Sequence, residues 1–131
     1  MKKNYSELFE KMHIAGKLAA NALDELTFFV KPGVSTNFLD KICYEYIKDY
    51  GGNSAPLYYR GFPKPCCVST NHIVCHGIPS EKILKDGDIT NVDVTAFIDE
   101  HHGDTSRMFY IGDVSVKSKN LISATYESMM K

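Results

Sequence analysis

No run in these 131 residues approaches the roughly 20 consecutive apolar residues that cross a bilayer. Lys2 and Lys3 look like the start of a signal peptide, but the apolar core such a peptide needs does not follow. An excess of one charge is also lacking. Fifteen Lys and Arg stand against 16 Asp and Glu, and the net charge of -1 gives no electrostatic reason to expect nucleic acid or an anionic membrane as the main partner. The cysteines at 43, 66, 67 and 75 form no C-x-x-C pair and have no His at zinc-finger spacing, which argues against a structural zinc site. Adjacent Cys66 and Cys67 would point to opposite faces of a strand, so a disulfide between them would be strained, and reduced thiols are expected. Internal repeats, low-complexity tracts and Ser/Gly-rich linkers are absent too. What remains is a cytoplasmic, soluble chain whose 44% hydrophobic content suffices for one domain with a core.

Residues 5 to 30 place Leu8, Met12, Ala15, Ala19, Ala22 and Leu26 at three- and four-residue steps, the apolar stripe of a long helix. Asn4 followed by Glu7 fits a capping-box start, and Lys31-Pro32-Gly33 a stop. A second helix begins at a Ser35 or Thr36 cap, presents Leu39, Ile42, Cys43, Tyr46, Ile47 and Tyr50 on one side, and ends at Gly51-Gly52. The segment SAPLYYRGFPKPCC is broken by three prolines and a glycine and predicts a shaped loop, in which Tyr58, Tyr59 and Phe62 either cover the core or are displayed. Short strands follow: CVST, IVCHG, ITNVDVTAFI after the Asp86-Gly87 turn, and GDTSRMFYIG. Helical spacing returns from Lys117 to Lys131 with Leu121, Ile122, Thr125 and Met129, and no stop signal closes it. The expected fold class is α+β, with two or three helices against an antiparallel sheet.

The chemistry concentrates in NVDVTAFIDEHHGDTS, residues 91 to 106. Alternation puts Asn91, Asp93 and Thr95 on one face of the first strand and Asp104, Ser106 and Met108 on one face of the second. A hairpin turning near Asp99-Glu100 pairs Asp93 with Asp104 or with a residue two positions away, and either register leaves the two carboxylates on one face. Facing carboxylates repel, so one takes up a proton or a cation intervenes. The pair is either a metal-binding pair or two solvated aspartates on an open hairpin. Two aspartates alone offer too few donors for two divalent ions. His76, in VCHGIP, could supply nitrogen to a metal, orient a substrate or move a proton near neutral pH.

The phrases APLYYRGFPKPCCVSTNHIVCHGIP, LKDGDITNVDVT and HHGDTSRMFY resemble the type I methionine aminopeptidases, in the bacterial short form, and the likeness runs across essentially the whole chain. That resemblance implies half of a pita-bread (creatinase/aminopeptidase) fold, with residues 1–131 as the N-terminal half of the catalytic domain and the C-terminal half absent. It implies two divalent metal ions (Co, Mn, Fe or Zn), with Asp93 and Asp104 as ligands and one His and two Glu supplied by the other half. His76 matches a catalytic histidine that contacts substrate at the scissile peptide, and Tyr59, Phe62 and Cys67 match residues lining the pocket for the methionine side chain. The implied reaction is hydrolysis of the first peptide bond, removing the N-terminal Met of nascent polypeptides at the ribosome, with no direct nucleic-acid or membrane role. Pro56, Phe62 and the Glu100-His101 pair depart from the family pattern. Two other readings stand beside this one: a related X-Pro aminopeptidase, and a truncated, non-catalytic half-domain that is inert or acts as a binding module.

Overall fold

Strict alternation over Ile89–Ile98 makes one strand with an apolar and a polar face, and the rest of the sheet is assembled on its two edges. The computed structural model describes residues 5–131, so Asn4, the expected cap of the first helix, lies outside the described residues. Helix α1 (Tyr5–Leu26) and helix α2 (Thr36–Asp49) come first. They are followed by strands β1 (Asn53–Ser54), β2 (Cys67–Thr70), β3 (Ile89–Ile98) and β4 (His101–Tyr110), and then by helix α3 (Val116–Met129). All pairings are antiparallel. Strand β4 runs along one edge of β3 for its full length, while β1 and β2 share the other, β1 opposite Ala96 and Phe97 and β2 opposite Thr90 to Asp93.

The hairpin turns at Asp99 and Glu100, as expected, and both have positive φ, 49° and 65°. That mirror-image two-residue turn matches the twist of the strands it joins.

Val92, Val94 and Ala96 face the helices and are fully buried with Leu23, Leu26, Leu39 and Ile47. The alanines of α1 serve close approach. Gly103, opposite Ala96, lies so near the α1 backbone at Ala15 and Gly16 that a Cβ there would collide with it. Arg107, on the same face of β4, reaches the end of α1. It donates to the Leu23 carbonyl at 3.3 Å and to Thr27 Oγ1 at 3.2 Å, and pairs with Asp24 at 2.7 Å. A cation there satisfies the Leu23 carbonyl in the last turn of α1, which ends at Leu26 rather than at residue 30.

Ser35 is the cap of α2, its Oγ accepting the Phe38 N–H at 3.1 Å. Thr36 instead exchanges two hydrogen bonds with the Ser80 backbone, both 2.9 Å. The expected strand at IVCHG does not form. Thr70 accepts the Ile73 N–H in a turn, Asn71 and His76 take left-handed φ of 57° and 52°, and Val74 is 93% exposed. The run meets the outer edge of β2 only at Gly77, whose carbonyl accepts the Val68 N–H, and left-handed Asn71 and His76 keep it from extending along that edge. Helix α3 buries none of its residues, and none of the described helices is long and apolar enough to cross a membrane.

Candidate metal centre and substrate pocket

The face of the sheet away from the helices carries Cys67, Asp93 and Ser106 in one cross-strand row and Thr95 and Asp104 in the next. Asp93 and Asp104 are therefore diagonal neighbours, offset by two positions, at a spacing that puts Cβ atoms roughly 7 Å apart. Asp93 is half-buried and Asp104 exposed. Burial raises the Asp93 pKa above the ordinary 3.8, and the negative charge of Asp104 and a shared proton between the carboxylates raise it further; His76 acts in the opposite sense. The Asp104 charge thus makes Asp93 harder to ionise, which a cation between them would relieve.

Cys67 pairs directly with Asp93 and is 7% exposed. Burial, then the Asp93 charge, push its thiol up to about 11, so at neutral pH it is a neutral, polarisable wall rather than a nucleophile. The loop between β1 and β2 frames the same place. Ala55 N–H bonds the Thr95 carbonyl as the loop leaves the sheet, and Cys67 rejoins it opposite Asp93. Tyr59 lies on that loop in a short 3-10 turn, Tyr59–Gly61, 64% exposed, with the Arg60 guanidinium 5.4 Å from its ring centre. Tyr58 is also exposed and Phe62 half-buried, so the tyrosines are displayed rather than spent on the core. His76 is exposed on the segment after β2, close enough for its charge to act on Asp93. Asp93, Asp104, Cys67 and His76 are brought together; Tyr59 and Phe62 are carried on the loop that opens beside them.

Hard carboxylate oxygens are the right donors for a divalent ion, and the repulsion between Asp93 and Asp104 is the strain such an ion removes. The fit is partial, because among the described residues no group of three or more His, Cys, Asp or Glu could hold a metal.

Asp40 escapes a sequence reading because an aspartate on a helix is ordinarily solvated. Here it is 5% exposed and accepts the Cys66 N–H at 3.1 Å and the Cys66 thiol at 3.4 Å, with Lys64 at 4.0 Å. Burial raises its pKa despite these partners. It thereby anchors the residue that precedes Cys67. The available signal was its position inside the apolar stripe, next to Leu39 and three residues before Cys43.

Residues 10–131 match the metallopeptidase family M24. The chain belongs to that family. The M24 chain is 56% identical over 123 residues to a methionine aminopeptidase of Rickettsia prowazekii (strain Madrid E), a match covering 94% of this chain and 48% of that relative. A crystal structure of methionine aminopeptidase from Rickettsia prowazekii superposes with a TM-score of 0.95 at 55% identity, over 96% of this chain and 51% of that one. An X-Pro aminopeptidase from Thermotoga maritima MSB8 shares the fold, with a TM-score of 0.78 at 20% identity, over 95% of this chain and 33% of its own. The M24 chain has the helices and antiparallel sheet of one half of the pita-bread fold. It spans about half the length of the curated relatives it matches.

Proposed function

We propose that residues 1–131 form the N-terminal half of a methionine aminopeptidase and provide one wall of its metal site. The observation that carries this reading is the diagonal Asp93–Asp104 pair on the open face, with Cys67 beside it and the His76 charge acting on it. Asp93 and Asp104 would hold two divalent ions, cobalt, manganese, iron or zinc, jointly with the one His and two Glu that the resemblance assigns to the other half. When bound, the ions supply Lewis acidity toward the first peptide carbonyl and lower the pKa of water. His76 hydrogen-bonds the scissile peptide and steadies charge developing on its oxygen. Cys67, Tyr59 and Phe62 line the pocket for the methionine thioether, where a neutral polarisable surface suits sulfur. The substrate is the N-terminal Met of nascent polypeptides, met at the ribosome in the cytoplasm.

The test is release of free methionine from a Met-Gly-Met peptide, with manganese or cobalt and with a chelator as control. The chain is assayed alone and after mixing with a polypeptide matching the remaining half of the Rickettsia relative. Release that needs both polypeptides and disappears with Asp104→Ala is the expected result. Metal-dependent release by this chain alone would overturn the shared-site reading, and release of X from X-Pro peptides in place of Met would overturn the substrate.

A further inference from the structure

His76 has an uncommon conformation, and the residue after it donates a hydrogen bond to a side chain with no assigned role. The His76 φ of 52° is left-handed, which an L-residue abandons unless its neighbours prevent it. The next residue, Gly77, is fastened to β2 from two sides: its N–H is accepted by Ser69 Oγ at 3.0 Å, and its carbonyl accepts the Val68 N–H at 2.9 Å. A Cβ at Gly77 would run into the Val68 carbonyl, so its backbone lies hard against the strand. Among the described residues, Gly77 is the one point between Ile73 and Ser80 where a hydrogen bond ties this segment to the rest of the chain. Ser69 is 5% exposed and lies on the same face of β2 as Cys67, two residues away.

We propose that Ser69 is the positioning residue for His76: by accepting the Gly77 N–H, its hydroxyl fixes the left-handed turn and sets the imidazole beside Asp93. The inference rests on the roles given above to His76 and Asp93. Without the hydroxyl, the Gly77 N–H loses its acceptor at the edge of β2 and the Val68 bond alone remains. The segment then relaxes toward ordinary φ and the ring leaves the site.

The experiment is NMR on the full 131-residue chain and its Ser69→Ala, Ser69→Cys and Ser69→Thr variants. It reads amide exchange at Gly77, the backbone φ of His76, and manganese(II)-induced broadening of Asp93, Asp104 and the His76 ring. In Ser69→Ala, Gly77 exchange is expected to rise about tenfold, the cost of one such hydrogen bond, and His76 to lose its positive φ. Gly33 and Leu84, whose amides are bonded elsewhere, keep their protection. Ser69→Thr, which retains the hydroxyl, restores both signals. Ser69→Cys, nearly the same size with a poor acceptor, repeats the alanine result should the alanine variant fail to fold. Unchanged Gly77 exchange and His76 φ in both Ala and Cys variants overturns the proposal, as does protection lost equally throughout the core. Manganese broadening in the wild-type chain judges the metal reading separately. Its absence at Asp93 and Asp104 would mean that the two aspartates do not hold manganese without the other half, while exchange and φ still decide the role of Ser69.

Discussion

At the scale of single residues, Asp93 is pulled two ways, and pH reveals it. Burial and Asp104 raise its pKa above 3.8. As pH climbs from 3.8 toward that raised value, the unfolded chain gives up this proton before the folded chain does, so the folded state holds more protons and stability falls. Below 3.8 the penalty is absent; above the raised value it is complete. Asp40 adds a slope of the same sign and Asp88, whose pKa is lowered, one of the opposite sign, so the Asp93 part must be isolated by difference. In chelator, Asp93→Asn should flatten the melting temperature against pH across weakly acidic solution and exceed the parent at neutral pH. Manganese should raise the parent and leave the variant unmoved; superimposable calorimetric profiles would remove the repulsion from the account. A second outcome concerns the thiols. With its thiol pushed up to about 11, Cys67 should resist iodoacetamide at neutral pH, whereas exposed Cys75 reacts, as peptide mass mapping would show. The carboxylate pair was legible because a period of two fixes which side chains share a face. Ser69 and Asp40 were not, since a serine in a strand and an aspartate on a helix carry no mark of the backbone groups they meet.

At the scale of elements, the hairpin shows both what alternation gives and what it hides. Residues 89 to 98 and the turn at Asp99-Glu100 follow from the sequence, as does the face carrying each aspartate. The register did not, because shifts of two leave the pattern unchanged. IVCHG misled for another reason: local apolarity favours a strand, but left-handed Asn71 and His76 break the extended run, and only Gly77 reaches the open edge of β2. The turn carries a cost that can be recovered. Glu100 occupies a left-handed position at φ 65°, and Glu100→Gly should stabilise the chain by about 1 kcal/mol, read from urea unfolding. Gly103 predicts the opposite sign. Its missing side chain lets β4 meet the α1 backbone, so Gly103→Ala should force the helix off the sheet and cost about 3 kcal/mol or more. A Gly103→Ala melting temperature equal to the parent's would mean that the helix can shift freely.

At the scale of the molecule, the core and the last helix are energetically separate. Helices α1 and α2 lock onto the sheet through Leu23, Leu26, Leu39 and Ile47, all essentially inaccessible to solvent. Helix α3 buries nothing, and its Leu121, Tyr126 and Met129 stand exposed at 61%, 59% and 71%. A helix of 14 residues that fully buries none of its side chains is marginal in water, since nucleation is costly and packing normally supplies most of its stability. Its apolar residues need a surface, as do Tyr5 and Phe9 on the outer side of α1. The chain alone should therefore show two classes of amide exchange. Amides of α1 from Ala15 to Leu26 should exchange only through global unfolding, and those of α3 orders of magnitude faster through local fraying. Removing residues 116–131 should shift the core's unfolding free energy by less than about 0.5 kcal/mol. In the mixture with the other half of the relative, α3 should gain protection in step with methionine release if, as proposed, the surface that covers it and the ligands that complete the site arrive on the same polypeptide. Protection of α3 in the chain alone at low concentration would mean that it is stabilised within this half. Protection that grows with concentration would mean that a second copy of this chain covers it instead.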